Sequence, residues 1–150
     1  MVNVALALVF VVSTGVGVLT DSASDTDVKA KKAPLKYEDA LKKSQKEKKP
    51  LLILVGANWC ASCQIMKRDT IEPMQKAGEL DNVIVTHVDK DKRPELAEQL
   101  MKGPTLPQVV LFSNRTGAWK RFSLTGMQSK GRMAELLGRA KIAVRNTKLR

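Results

Sequence analysis

Residues 51–66 read LLILVGANWCASCQIM, an apolar run followed by a short break and two cysteines three positions apart. The run up to position 56 is aliphatic or small throughout, which is typical of a β-strand buried on both faces. The small residues that follow give the chain room to turn. We therefore predict that a buried central strand delivers Cys60 and Cys63 to the N-terminus of a helix.

The predicted helix start bears on the chemistry of the two thiols. A helix N-terminus favours an anion, because its first backbone N–H groups are unpaired and the helix dipole is positive there. The Cys60 thiol should therefore ionise more easily than a free one. We expect Cys60, nearer the N-terminus and more exposed, to be the nucleophile, and Cys63 to be the buried resolving thiol. The spacing also places both sulfurs on one side of the helix, close enough to form a disulfide.

These are the only two cysteines among the 150 residues. A structural zinc site takes four ligands, and the chain offers only Cys60, Cys63 and the single histidine, His87, so zinc binding would need a second subunit. A purely structural disulfide across so short a loop stabilises little. Redox chemistry is the favoured interpretation. Binding of a soft metal ion such as Cu(I), and an inert pair, are the alternatives.

Length and charge narrow the class of protein. A chain of 150 residues with 43% hydrophobic content fits one domain with a hydrophobic core. The formal net charge is +11, and nine lysines lie within residues 29–49. We interpret this basic stretch as a solvated helix face and linker, with attraction to an anionic membrane surface or an acidic partner as the alternative. Nucleic acid is not expected, because Tyr37 is the only stacking aromatic there.

The N-terminal segment differs in composition from the rest of the chain. Residues 2–19 are almost wholly apolar and uncharged, so residues 1–24 are predicted to be a signal peptide or an N-terminal anchor, and the protein to be periplasmic or secreted. Outside the cytosol no glutathione pool keeps a cysteine pair reduced. The polar residues 25–35 are predicted to be a flexible linker, residues 36–145 the folded domain, and residues 146–150 a basic tail.

Hydrophobic periodicity predicts the elements of the folded domain. The predicted helices cover residues 37–48, the stretch from the cysteines to Gly78 with a break at Pro73, residues 94–101, and a stripe from Met133 to Val144. The predicted strands cover residues 51–56, 83–88, 108–112 and 119–124. This order gives an α/β fold, with a central mixed sheet of four to five strands and helices on both faces.

Three motifs, in order along the chain, resemble the thioredoxin superfamily. Residues 59–63, WCASC, resemble its active site, although the superfamily usually has Gly-Pro between the cysteines. Residues 105–108, TLPQ, resemble its cis-proline loop, and residues 126–131 resemble the glycine turn before the last helix. The resemblance covers about residues 37–142 and implies a thioredoxin-like three-layer fold. Within the superfamily, the chain resembles the thioredoxin-like domains of bacterial envelope thiol:disulfide oxidoreductases.

The resemblance also implies a substrate-binding groove beside the cysteines. A cis bond before Pro107 would turn the backbone of Leu106 toward the two sulfurs, where it can pair with an extended substrate. Trp59 should shield one side of the cysteine pair and offer a flat apolar contact. Gly126 should complete the groove by allowing close approach.

The chain departs from the superfamily beneath the cysteines. Many thioredoxins have a buried acid six residues before the first cysteine and a lysine nearby on the next strand; Leu54 and His87 occupy those positions here. His87 is expected to be either a satisfied core histidine or a substitute proton shuttle for Cys63. The missing negative charge is predicted to lower the pKa of Cys60 and make the pair more oxidising.

These observations predict an exported thiol:disulfide oxidoreductase that acts as a monomer, without cofactor or metal. Its expected partners are disulfide-bearing or dithiol proteins and a membrane-bound electron donor. The alternative is a non-enzymatic thioredoxin-like binding module, for a soft metal ion or for a membrane-bound partner.

Overall fold

The computed structural model describes residues 34–113 and 118–145. The predicted signal peptide or anchor, residues 25–33 of the predicted linker and the predicted basic tail lie outside these residues. Within the two described ranges, no helix is both long enough and apolar enough to cross a membrane.

In chain order the described elements are α1 (Tyr37–Glu47), β1 (Leu51–Gly56), α2 (Ala61–Met66), a π-helical turn (Lys67–Ile71), α3 (Glu72–Lys76), β2 (Ile84–Asp89), α4 (Pro94–Leu100), β3 (Gln108–Ser113), β4 (Lys120–Thr125) and α5 (Lys130–Arg145). The described strands form one sheet in the order β2-β1-β3-β4. Strand β1 is parallel to β2 and antiparallel to β3, and β3 is antiparallel to β4. The predicted mixed sheet is thereby confirmed.

Strand β1 lies between two hydrophobic clusters, because successive side chains of a strand point to opposite faces of the sheet. One cluster contains Leu51, Ile53, Val55, Ala40 of α1, and Ala97 and Leu100 of α4. The other contains Leu52, Leu54, Met66 of α2, Met74 of α3, and Met133 and Leu136 of α5. Helices therefore cover both faces, and the predicted three-layer α/β fold is confirmed.

The segment before α1 is held against the edge of the sheet. Leu35 forms an isolated parallel bridge with Thr86 of β2, and the buried Thr86 hydroxyl donates a hydrogen bond of 2.6 Å to the Leu35 carbonyl. The Arg93 guanidinium pairs with the Glu38 carboxylate at 2.6 Å. The last residue of the predicted linker is thus attached to β2.

The helix that carries the cysteines is irregular, but not where the sequence predicts. The chain is helical from Ala61 to Lys76, and its irregular part is the π-helical turn Lys67–Ile71. Pro73 lies near the start of α3 but inside this continuous helix, where a proline has no N–H to donate and its ring disturbs the preceding turn. Gly78, which follows α3, has a φ of +74°, a conformation that suits glycine just beyond a helix end.

Candidate active site

Cys60 and Cys63 are joined by a disulfide, with their Cα atoms 5.2 Å apart. Cys60 has an extended backbone and is the N-cap residue of α2. Its sulfur accepts a hydrogen bond of 3.2 Å from the Cys63 backbone N–H and lies 3.4 Å from the Ser62 hydroxyl. The pair therefore lies at the predicted helix N-terminus, and when it is reduced these groups can stabilise a thiolate at Cys60.

The prediction that Cys60 is more exposed than Cys63 is wrong. Cys60 is 6% exposed and Cys63 is 5% exposed, because both lie in a small buried cluster with Ala57, against which Leu106 packs. Cys63 also lies directly against the end of β1, where a Cβ on Gly56 would come within 3.1 Å of its sulfur. Hydrogen bonding, rather than exposure, distinguishes the two sulfurs.

The loop before β3 lies over the cysteine pair. The peptide bond between Leu106 and Pro107 is cis, the geometry that the resemblance implies. Pro107 is buried, and the half-buried Leu106 contacts the cluster that contains both cysteines. The two elements that the sequence motifs indicated are thus adjacent in the fold.

Gln108, the first residue of β3, is fully buried and holds this loop in place. Its side-chain oxygen accepts a hydrogen bond of 2.8 Å from the Lys102 backbone N–H. Its side-chain nitrogen approaches the carbonyl oxygens of Lys102 at 3.1 Å, Gly103 at 3.2 Å and Thr105 at 2.9 Å. Sequence analysis missed this role, although one polar residue at the start of an otherwise apolar strand was a signal.

Gly126 connects the end of β4 to the cis-proline loop. Its φ of +81° is in the region that favours glycine, and its N–H donates a hydrogen bond of 2.8 Å to the Pro107 carbonyl. The next residue, Met127, is 52% exposed. Gly126 is therefore bonded to the cis-proline loop, and its part in a substrate groove stays a prediction.

Trp59 is a surface residue, not part of the core. It is 70% exposed, and its indole N–H donates a hydrogen bond of 2.8 Å to the Asp91 carboxylate. This bond fixes the ring next to Cys60 in the chain. Asp91 was not identified from the sequence, because nothing in its local context links it to a tryptophan 32 residues earlier.

His87 lies on β2 opposite Leu54 of β1 and lines a cleft of about 300 Å³ that Cys63 also lines. The pKa of His87 is lowered to about 4, mainly by burial and also by the nearby Lys67 ammonium, while Glu72 partly opposes both effects. The imidazole is therefore neutral at pH 7. The fold places His87 in the same cleft as Cys63, and its part in proton transfer stays a prediction.

The lowered pKa of His87 predicts a pH dependence of stability. Between about pH 6.5 and 4 the unfolded chain binds a proton at this residue and the folded chain does not. The free energy of unfolding should therefore decrease as the pH is lowered through this range. The loss should be at most about 3 kcal/mol. Urea denaturation of the native protein and of His87→Asn at several pH values in this range measures the effect. If the free energy of unfolding changes with pH equally in both proteins, the prediction is wrong.

Other groups do not obscure this comparison. The pKa values of the Glu38, Glu47 and Asp69 carboxyls are lowered mainly by side-chain hydrogen bonds to Arg93, Lys49 and Arg68 respectively. Their contribution to stability also decreases in acid, but equally in both proteins. The difference between the two proteins in how the free energy of unfolding changes with pH is therefore due to His87.

In residues 34–113 and 118–145, no group of three or more His, Cys, Asp or Glu side chains is placed to hold a metal ion. The only titratable side chain besides the cysteines for which sequence analysis proposed a catalytic role is His87. The chemistry that these described residues offer at the site is therefore that of the cysteine pair.

Comparison with known proteins agrees with this geometry. A family model described as thioredoxin-like matches residues 32–113, more than half of the chain. A thioredoxin from Thermus thermophilus is 21% identical, with a TM-score of 0.62 over 72% of this chain and 85% of that one. Chloroplastic thioredoxin z is 24% identical, with a TM-score of 0.58 over 73% and 93%. Plasmodium falciparum thioredoxin is 21% identical, with a TM-score of 0.55 over 71% and 84%.

At these identities the solved structures show the fold alone, and no curated protein sequence matches the chain. A close cysteine pair at a helix start in this fold supports thiol–disulfide oxidoreductase chemistry in general terms. The chain belongs to the thioredoxin-like family.

Proposed function

We propose that the protein is an exported thiol:disulfide oxidoreductase that exchanges its Cys60–Cys63 pair with protein substrates through a mixed disulfide. The observation that carries this proposal is the position of the pair, at the N-terminus of α2 and beneath the cis-proline loop. A substrate that lies along this loop would meet the sulfur of Cys60, which is the one with hydrogen-bond donors around it.

The reaction in the reducing direction has two displacement steps. The Cys60 thiolate attacks a substrate disulfide, so that a bond between Cys60 and one substrate sulfur forms while the substrate S–S bond breaks. The other substrate sulfur leaves and takes a proton. Cys63 then loses its proton and attacks the Cys60 sulfur, which closes the Cys60–Cys63 disulfide and releases the second substrate thiol. Two electrons pass to the substrate, and the reverse sequence oxidises it.

The remaining site residues have binding or proton-transfer roles in this proposal. Leu106 would pair with an extended substrate through its backbone beside cis Pro107, while Trp59 and Gly126 border the same groove. His87 shares a cleft with Cys63 and would pass on the proton that this thiol loses, rather than keep it, because a pKa of about 4 makes the imidazole a weak base. The apolar Leu54, in place of an acid, supports this assignment.

The cellular setting belongs to the same proposal. The apolar residues 2–19 support export to the periplasm or beyond, by a signal peptide or with an anchor. In that setting a membrane-bound donor would supply electrons, as for the bacterial envelope domains that the chain resembles. The exposed Lys42, Lys43 and Lys46 of α1 would favour contact with an anionic membrane surface. The protein is proposed to work as a monomer and to need no cofactor.

Equilibration with glutathione buffers tests the proposal together with insulin reduction driven by dithiothreitol. A reversible two-electron potential between about −270 and −120 mV is expected, with turnover that depends on the protein concentration. A potential near the reducing end of this range would contradict the more oxidising pair predicted from the missing acid. A folded protein that binds Cu(I) but shows no turnover would instead support the binding-module alternative.

A further inference from the structure

The two ends of the sheet differ in charge and in the side chains they expose. Strand β1 ends at Gly56, and the disulfide lies just beyond it. At the other end, Leu51 of β1 pairs with Phe112 of β3. Ser113, the last residue of β3, pairs with Lys120, the first residue of β4. We call this second end the distal end; it is about 20 Å from the disulfide end, because β1 has six residues.

Lysines without ion-pair partners lie at the distal end. Helix α1 ends at Glu47, and a short connection leads into β1, so the last turn of α1 is at this end. Lys46 lies in that turn and Lys48 follows it, and both are exposed. Across residues 34–113 and 118–145 neither forms an ion pair, whereas Lys43 and Lys49 both pair with Glu47.

Cations outnumber carboxylates across the distal end as a whole. Among the described residues, its carboxylates are those of Glu47, Glu79 and Asp81, and its cations are those of Lys46, Lys48, Lys49, Lys76, Lys120 and Arg121. Six of these nine side chains are positive and three are negative, which gives a formal charge of +3.

The charges at the disulfide end are mixed. Arg93, which precedes α4, pairs with the Glu38 carboxylate at 2.6 Å. Residues 89–92, at the end of β2, read DKDK, so each lysine there lies beside an aspartate. A negatively charged surface should therefore attract the distal end more strongly than the disulfide end.

An exposed tryptophan lies among the distal cations. Trp119, directly before β4, is 42% exposed, and its ring meets the Phe112 ring edge to face, with the centroids 6.2 Å apart. The Arg121 guanidinium carbon lies 6.0 Å from the centre of the same Phe112 ring. Its nitrogen atoms donate hydrogen bonds to the carbonyls of Gln99 and Leu100. The indole thus packs on a fixed aromatic base, and tryptophan beside lysine or arginine is typical of membrane–water interfaces.

We propose that the distal end binds an anionic lipid bilayer, with Trp119 among the head groups and the lysines against the lipid phosphates, so that the disulfide faces away from the membrane. This inference rests on the proposed function, in which the Cys60–Cys63 pair must stay open to protein substrates in the aqueous compartment. The positive charge favours anionic over neutral lipid. The exposed indole favours a bilayer over an acidic protein, because the interface takes up both its apolar ring and its N–H.

The chain contains two tryptophans, one at each end of the sheet, so its orientation on a bilayer can be measured. Trp59→Phe keeps only Trp119, and Trp119→Phe keeps only Trp59. Each full-length oxidised protein is mixed with phosphatidylcholine vesicles, with or without phosphatidylglycerol, whose acyl chains carry bromine to quench fluorescence. We expect anionic vesicles to quench Trp119 and not Trp59, which lies about 20 Å farther from the lipid. Residues 2–19 contain no tryptophan, so they add no signal.

Two sets of charge variants separate binding at the distal end from attraction to the net charge. Both are made in the protein that keeps Trp119 alone. Lys46→Gln with Lys48→Gln should lower the ratio of quenched to unquenched Trp119 roughly 25-fold, because two surface cations are lost. Lys92→Gln with Lys130→Gln makes the same change at exposed positions near the disulfide end and should leave the ratio unchanged. High salt should abolish the quenching.

The outcomes decide between partners and separate this inference from the proposed function. Quenching of Trp119 alone, lost in salt and in the distal lysine variant, would establish the orientation. Quenching of Trp59, no quenching, equal quenching on neutral vesicles or equal losses in the two lysine sets would overturn it. Salt-sensitive binding to polyglutamate without quenching would overturn it in favour of an acidic protein. Insulin reduction by the native protein is measured without vesicles, and its absence would overturn the proposed function while the quenching result stands.

Discussion

Cys60→Ser should reduce the rate of insulin reduction at least about 100-fold, to the uncatalysed level, because no thiolate then remains to attack the substrate. Cys63→Ser should lose multiple turnover to a similar extent, but for another reason. Its Cys60 thiol still attacks, and the mixed disulfide then accumulates because no resolving sulfur is present. Both cysteines are fully engaged in the same disulfide, so each replacement removes a whole step.

Mass spectrometry under non-reducing conditions distinguishes the two variants. Cys63→Ser should carry one covalently attached substrate chain, and Cys60→Ser should carry none. Ser62→Ala removes one group beside the Cys60 sulfur and keeps both cysteines, so it should lower the rate far less than either cysteine replacement. Native-like turnover of Cys63→Ser, or a substrate chain trapped on Cys63 in Cys60→Ser, would contradict the assigned order of attack.

The central part of the fold could be predicted from the sequence, because its pattern is local. An unbroken apolar run specifies a strand with no solvent face, and β1 is buried along its length apart from Gly56. Strands β2 and β4 lie one position later than predicted, at Ile84–Asp89 and Lys120–Thr125. Their limits are set by pairing with neighbouring strands, such as Ile84 opposite Leu51, and no local pattern contains that information.

The polar contacts that shape the site could not be predicted in the same way. The bond from Trp59 to Asp91 and that from Thr70 to Gln128 join residues 32 and 58 positions apart. Such pairs follow from sheet order and loop path, which hydrophobic periodicity does not specify. The burial of Cys60 could not be predicted for the same reason, because it depends on contact with Leu106, 46 positions later in the chain.

The helix dipole and the three-residue spacing of the cysteines were nevertheless sufficient to indicate thiol–disulfide chemistry. Both depend only on residues close in sequence, and the structure places Cys60 at the N-cap with its sulfur accepting the Cys63 N–H. A site defined by one short segment can thus be identified early, whereas its surroundings, such as Leu106 against the cysteines and Gly126 bonded to Pro107, come from distant segments. The placement of His87 opposite Leu54 was predicted, but only from the resemblance, because the two residues lie on different strands.

Gln108→Glu should lower the free energy of unfolding by about 4 kcal/mol at pH 7, although the two side chains have nearly the same shape. The native side-chain nitrogen faces three backbone carbonyls. A carboxylate has no hydrogen to donate and would place a negative charge against these oxygens in a fully buried position. Urea denaturation at pH 7 measures the loss directly.

The pH dependence of this loss identifies its cause. Burial beside carbonyl oxygens should raise the pKa of the new carboxyl group above its value in the unfolded chain, so the folded variant binds a proton more readily. The deficit relative to the native protein should therefore shrink as pH falls toward about 4. Gln45→Glu makes the same chemical change at an exposed position on α1 and should alter stability by less than about 0.5 kcal/mol. Equal effects at both positions would mean that Gln108 does not hold the cis-proline loop. A selective, pH-dependent loss would mean that this buried amide stabilises the fold through its hydrogen bonds to the backbone of Lys102, Gly103 and Thr105.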